Sequence, residues 1–172
     1  MMSVMVPSRL ARAAFAASVM LALSAPALAA CLDKPAPGVD WERCLLDKRQ
    51  FANAQLMDAR LKSASFVGAN LSGSDLSRVD ASKATFLSAN LAGAVLDGAN
   101  LLGTDFTKAD LTGASLRNAD LRQARLYRAV LREADLTGAR MKDADLLNAD
   151  FSGALWIDGE TRCQEGSIGQ CE

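Results

Sequence analysis

The sequence predicts an all-β solenoid, and three periodic features predict it. Counted in fives from Phe51 to Phe151, the 21 positions hold fourteen Leu, five Phe, Met141 and Ala81. Positions 54 to 154, again in fives, hold Ala at eighteen of 21, with Ser74, Val79 and Thr104 as the exceptions. Eight of the twelve Gly share one further phase, two residues after the large apolar site. An α-helix advances about 100° per residue, so a five-residue period would smear the Leu around its cylinder. A flat strand fails because side chains alternate faces and five is odd. The chain must therefore change direction within every unit.

Write i for the large apolar site. The Ala at i−2 and the Leu or Phe at i then lie inward on a short extended piece, and i−1 points out. Residues i+1 and i+2 turn the corner, where Gly tolerates backbone angles that other residues resist. Eleven of the 21 i−1 positions from 55 to 155 are Asp or Asn, polar groups able to bond local backbone. Phe66, Phe86 and Phe106 are twenty apart, and Phe51 and Phe151 differ by a multiple of twenty. Four units per coil would stack these rings in columns on two of four sides.

Taken in chain order, residues 1–29 read as a secretory signal peptide. Arg9 and Arg12 precede an apolar run from Ala13 to Ala25, and Ala27-Leu28-Ala29 fits a small-residue cleavage site. That run is too short to span a bilayer as a helix. Leu28-Ala29-Ala30-Cys31 also resembles a lipobox, which would make Cys31 a lipidated terminus. Residues 30–45 read as an N-terminal cap, with Pro35, Pro37 and Gly38 breaking regular structure before Trp41. Residues 46–156 carry the repeats, and 157–172 form a Gly- and polar-rich C-terminal cap. Positions 41 to 160 make roughly six coils, a rod of about 29 Å at the ~4.8 Å strand spacing. Trp41 and Trp156 both fall in phase and are expected as indole lids over the ends.

Cys31, Cys44, Cys163 and Cys171 form two close pairs flanking the repeats. Four cysteines allow three connectivities, and the intervening rod leaves Cys31–Cys44 and Cys163–Cys171 as the local solution. Export to an oxidising compartment suits such bridges, and lipidation of Cys31 would strand Cys44.

The repeats resemble the pentapeptide repeat family, with its A-(D/N)-L-x-x consensus. It appears here as Ala-Asn-Leu at 69–71, 89–91 and 99–101, and as Ala-Asp-Leu at 109–111, 119–121, 134–136 and 144–146. The resemblance implies a right-handed quadrilateral β-helix with disulfide-closed caps. Some cytoplasmic members resemble duplex DNA and protect DNA gyrase from quinolones. Three features argue against that role here: the signal peptide, the lack of an inserted loop, and a charge of only −3 once residues 1–29 are removed.

Nothing in the sequence specifies catalysis. The chain has no His, removing the commonest general base and zinc ligand. No phosphate loop or nucleophile elbow occurs, because the Gly follow the repeat phase. No catalytic, cofactor or metal residue is expected. The Asp recur because the repeat prefers them, and a regular prism offers no cleft for a paired-carboxylate, polysaccharide-active site. Asp105, Arg125 and Asp145 should form one outward column, and Arg60, Asp80, Asn100, Asp120 and Arg140 another, as charge ladders fixing register. Arg122 and Lys142 share a column and form a candidate patch for an anionic partner. Tyr127 is expected at the surface.

The expectation is a non-enzymatic, exported scaffold, periplasmic or secreted and monomeric, facing an unknown protein or envelope component. Neither nucleic acid nor a transmembrane segment is expected. One lapse in the period, Val79 with Ala81, exchanges bulk between i−2 and i and should leave the coil path unbroken.

Overall fold

The computed structural model describes residues 31–172. The signal peptide and the Ala30 terminus expected above lie outside the described residues. From Asp40 to Leu155 every outward i−1 residue forms a parallel β-bridge with the residue twenty positions away. Side one runs Asp40, Arg60, Asp80, Asn100, Asp120, Arg140, and side two runs from Leu45 to Asp145 in the same way. Side three runs from Gln50 to Asp150 and side four from Gln55 to Leu155. Each coil is thus a four-sided turn of twenty residues, and six are stacked.

The unit works because its backbone groups find partners in two directions. The Leu71 N–H donates to the Asn90 carbonyl in the next coil at 2.7 Å, and the Gly73 N–H to Ala92 at 2.9 Å. The Asp75 N–H donates back to Ala54 in the preceding coil at 2.9 Å. The Ser74 N–H closes the corner onto Leu71 at 3.1 Å. The same four bonds repeat from unit to unit along the inner coils.

Every i+2 residue from Arg43 to Gly153 sits at positive φ, eight of them Gly and fifteen not. Gly therefore marked the corner correctly but under-reported it. A left-handed L-residue costs about 1–2 kcal/mol, yet that geometry aims the i+2 N–H at the next coil. The ladder bond holds even Lys83 and Arg128, at φ 59° and 57°, in place.

Inside, the Ala and Leu or Phe ladders are buried along the rod, except for Ala54, Met141, Ala144 and Leu146, which are half-buried. Phe66, Phe86 and Phe106 stack nearly parallel with centroids 5.0 and 5.2 Å apart. Each buried Leu or Phe contributes about 1.5–3 kcal/mol. Val79 and Ala81 both point inward and are buried, and the bridges on either side of them continue. Thr104, an exception at an Ala site, donates its hydroxyl to the Ala81 carbonyl at 2.9 Å, so the next coil shares in the adjustment.

The two ends differ from simple indole lids. Trp41 is fully buried, 5.1 Å from the Phe51 ring, and its indole N–H lacks a partner among the described residues. It is an interior plug. Trp156 is half-buried edge-on to Phe151. Past it the chain reverses and pairs antiparallel with its own last coil, Leu155 with Arg162 and Asp150 with Ile168. The bridges of this reversed tail fall on sides four and three, and Cys171 then packs against the core. Disulfides join Cys31 to Cys44 and Cys163 to Cys171.

The corner geometry predicts opposite outcomes for two exposed corners. Ser63, at φ 56° with no side-chain hydrogen bond, should gain about 1 kcal/mol as Gly, net of the added unfolded-state entropy. Gly93 has φ 65° and open space where a Cβ would sit, so Gly93→Ala should lose about 1 kcal/mol from backbone strain alone. Urea unfolding midpoints of the two variants check this.

Candidate interaction surface

The outward i−1 side chains are the ones the fold offers to solvent, and their first duty is local. The ladder leaves the i+1 N–H of each inner unit without a backbone partner. All eleven Asp and Asn at i−1 between positions 55 and 155 accept that hydrogen, as Asn70 does from Ser72 at 3.2 Å and Asp110 from Thr112 at 3.0 Å. A carboxylate or amide two residues upstream of a donor is the standard Asx geometry. The repeated acids are therefore structural.

Their remaining oxygens collect arginines. Arg78 grips Asp58 one coil below at 2.7 Å, and Arg60 reaches Asp40 and Glu42 at 3.3 and 2.9 Å. Both expected charge columns are only partly realised. Arg125 pairs with Asp105, while Asp145 accepts the Leu147 N–H instead. On side one Arg60 turns away from Asp80, which binds Asn100 at 3.0 Å. Tyr127 is half-buried under the Arg128 guanidinium, 5.2 Å from its ring centre.

Within the Arg122–Lys142 patch the two cations have different surroundings. Arg122 folds onto Asp120 with two bonds, Nε to Oδ1 at 2.8 Å and Nη2 to Oδ2 at 2.7 Å. Arg140 adds a third at 3.0 Å. Asp120 is only 6% exposed, so two cations converge on one sequestered carboxylate, which neutralises one of their two charges. Sequence spacing aligned Arg122 with Lys142 but gave no weight to the acid two residues away. Lys142 is exposed and has no ion pair with a described residue. Among the described residues no three acidic, Cys or His groups come together to hold a metal, and no helix is long and apolar enough to cross a membrane.

The Arg122 side-chain bond, with its backbone N–H and the Arg122 and Arg140 charges, holds the Asp120 carboxyl below the usual range against desolvation. A lowered folded pKa means the contribution is complete above the ordinary Asp value and is lost as pH falls through the folded value. Asp120→Asn should therefore cost up to about 1 kcal/mol at neutral pH. The gap from wild type should narrow as the pH falls below the ordinary Asp value and close once it passes the lowered folded one. Thermal melts of both proteins across that range measure it.

The chain matches the family described as pentapeptide repeats, in eight copies, over residues 54–87, 86–123 and 124–155. No curated protein matches it. Among solved structures, HetL from the cyanobacterium Nostoc, a pentapeptide repeat protein involved in heterocyst differentiation regulation, is 35% identical. That match covers 73% of this chain and 65% of HetL, with a TM-score of 0.48. QnrB1, a plasmid-mediated fluoroquinolone resistance protein, is 19% identical over 76% of this chain and 64% of its own, with a TM-score of 0.59. A pentapeptide repeat protein of the Arabidopsis thaliana thylakoid lumen is 27% identical over 69% of this chain and 65% of its own, with a TM-score of 0.36. The chain thus spans a little under two thirds of the length of these proteins. At 19% identity the QnrB1 likeness speaks for the fold alone. With matched repeats from residue 54 to 155 wound as a right-handed four-sided β-helix, the chain belongs to the pentapeptide repeat family, whose members are non-catalytic scaffolds.

Proposed function

We propose that this protein is an exported scaffold of the cell envelope that presents rigid, flat sides to a protein or envelope partner. The observation that carries the reading is a disulfide at each end of the rod. Such bonds persist in oxidising compartments and are rare in the cytosol. The charged n-region, apolar run and small-residue site of residues 1–29 support the same compartment. On this reading residues 1–29 are a signal peptide, 30–45 and 157–172 are caps, and 46–156 form the β-helix.

The Cys31–Cys44 bond supports a soluble form over a lipid-anchored one, because the Cys31 sulfur is already engaged. A gyrase-directed role gains no support from the surface. Asp58, Asp105, Asp120, Asp135 and Asp150 are each tied to arginine, which offsets part of the acidic surface such a role would use.

Cell fractionation with intact mass of the native protein tests the proposal. The expected result is a periplasmic chain starting at Ala30, with two disulfides and no free thiol. Cytoplasmic protein with four thiols would overturn the export reading. An acylated Cys31 would overturn the soluble form.

A further inference from the structure

Charge is spread unevenly round the rod, and side two with its two bordering corners holds the imbalance. Between residues 40 and 156 that face carries nine cations against five acids, whereas the rest of the rod carries six against ten. All five lysines of the repeats stand on its corners. Lys62, Lys83 and Lys142 lie between sides one and two, and Lys48 and Lys108 between sides two and three. Each is exposed, and none has an ion pair with a described residue. The cations elsewhere are engaged. Arg60, Arg78, Arg117, Arg132 and Arg140 each bind an acid, and Arg49 lies over the Phe51 ring.

Apolar side chains share the same face. The i+1 column between sides two and three reads Val67, Leu87, Thr107, Tyr127, Leu147. These five span four coil steps, about 19 Å at the strand spacing. The matching column between sides three and four holds Ala, Ser, Thr and Arg132, and the one between sides four and one is broken by Asp97 and Arg117. Leu147 is 61% exposed, and Leu45 in the outward row of side two is 80% exposed.

We propose that side two docks lengthwise on a phospholipid bilayer with anionic headgroups. The proposal gives the envelope partner above its chemistry and rests on that reading of the compartment. The lysines of both corners meet headgroup phosphates, and the apolar row enters the headgroup boundary. Lysine suits that position because its stem lies along apolar surface while the ammonium stays in water. Each cation near an anionic leaflet contributes roughly fivefold in affinity, within a Debye length of the surface. Charge alone would serve any polyanion. The apolar row selects a bilayer, as in other surface elements that combine cations with a greasy strip.

The acids of the face leave its middle free. Asp105 is bound to Arg125 and Glu42 to Arg60. Asp47 accepts the Val67 N–H and Asp145 the Leu147 N–H. Asp47, Asp143 and Asp145 keep their charge, but they lie in the first and last coils. Lys62, Lys83 and Lys108 occupy the coils between, with Arg128 over Tyr127 beyond them.

Cosedimentation of the purified, oxidised protein with vesicles tests this, using phosphatidylcholine alone and phosphatidylcholine mixed with phosphatidylglycerol. The expected result is binding to the mixed vesicles that falls steeply with salt, and far weaker binding to phosphatidylcholine. Lys83→Gln with Lys108→Gln should weaken it roughly twentyfold. Asn53→Asp with Gln55→Glu makes the same charge change around side four and should alter affinity by no more than about twofold. Leu147→Ser should weaken vesicle binding several-fold and leave binding to dextran sulfate beads unchanged. All five positions are exposed, so the fold is retained, which circular dichroism verifies. No binding to the mixed vesicles overturns the proposal. So does equal weakening by the two charge pairs, since net charge alone would then act. Wild-type vesicle binding by Leu147→Ser also overturns it, in favour of a hydrophilic polyanion. The vesicles report nothing about compartment, so a cytoplasmic protein would overturn export separately.

Discussion

A turn of five residues brings five amide hydrogens, and the stacked ladder uses four of them. The fifth, at i+1, faces outward at the corner with no carbonyl in reach, and an unpaired amide that is only partly hydrated costs stability. The Asp or Asn at i−1 answers this, and its second oxygen is then free for an arginine or amide from the neighbouring coil. Asp120 shows the full sequence of consequences. It accepts the Arg122 N–H at 3.3 Å, draws the Arg122 guanidinium down beside it, and binds Arg140 from the coil above. What looks like surface charge in the sequence is mostly backbone support.

The same geometry explains what the sequence revealed and what it concealed. The solenoid, its four sides and its six coils follow from Leu and Phe at every fifth position, because no other regular backbone buries that pattern. The Phe66, Phe86 and Phe106 stack could be read from their spacing of twenty. The fifteen left-handed corners without Gly could not, since Lys, Arg and Glu there look like ordinary surface residues. The pairing of charges was legible only as columns. Which partner each arginine chooses depends on a few ångströms of reach, and Arg60 reaching down to Asp40 and Glu42 instead of up to Asp80 has no counterpart in spacing. The reversed tail was hidden for a different reason. Residues 157–172 lack periodicity, and antiparallel return over the last coil is set by the edge they meet.

A rod made from identical layers has no reason to end, and most of this chain's individuality lies in how it stops. At the N-terminus a buried Trp41 plugs the core and a disulfide ties the leading segment to Cys44. At the C-terminus the tail closes two sides and leaves two amide-rich edges open. Exposed edges invite further strands, so recognition at this end and recognition by the flat sides obey different rules. Three sides offer paired charges and small corners, side two offers unpaired lysines, and the end offers backbone.

The central claim is that a five-residue hydrogen-bond cycle, completed by Asp and Asn, holds the rod together. Residue-resolved amide hydrogen exchange tests it most directly. The account predicts slow exchange at ladder amides such as Leu91 and Leu96. Ala92, capped by Asn90, should be intermediate, and Leu87, Tyr127 and Arg132, which have no such cap, should be fast. Protection without a period of five, or uncapped Leu87 exchanging as slowly as Leu91, would contradict it.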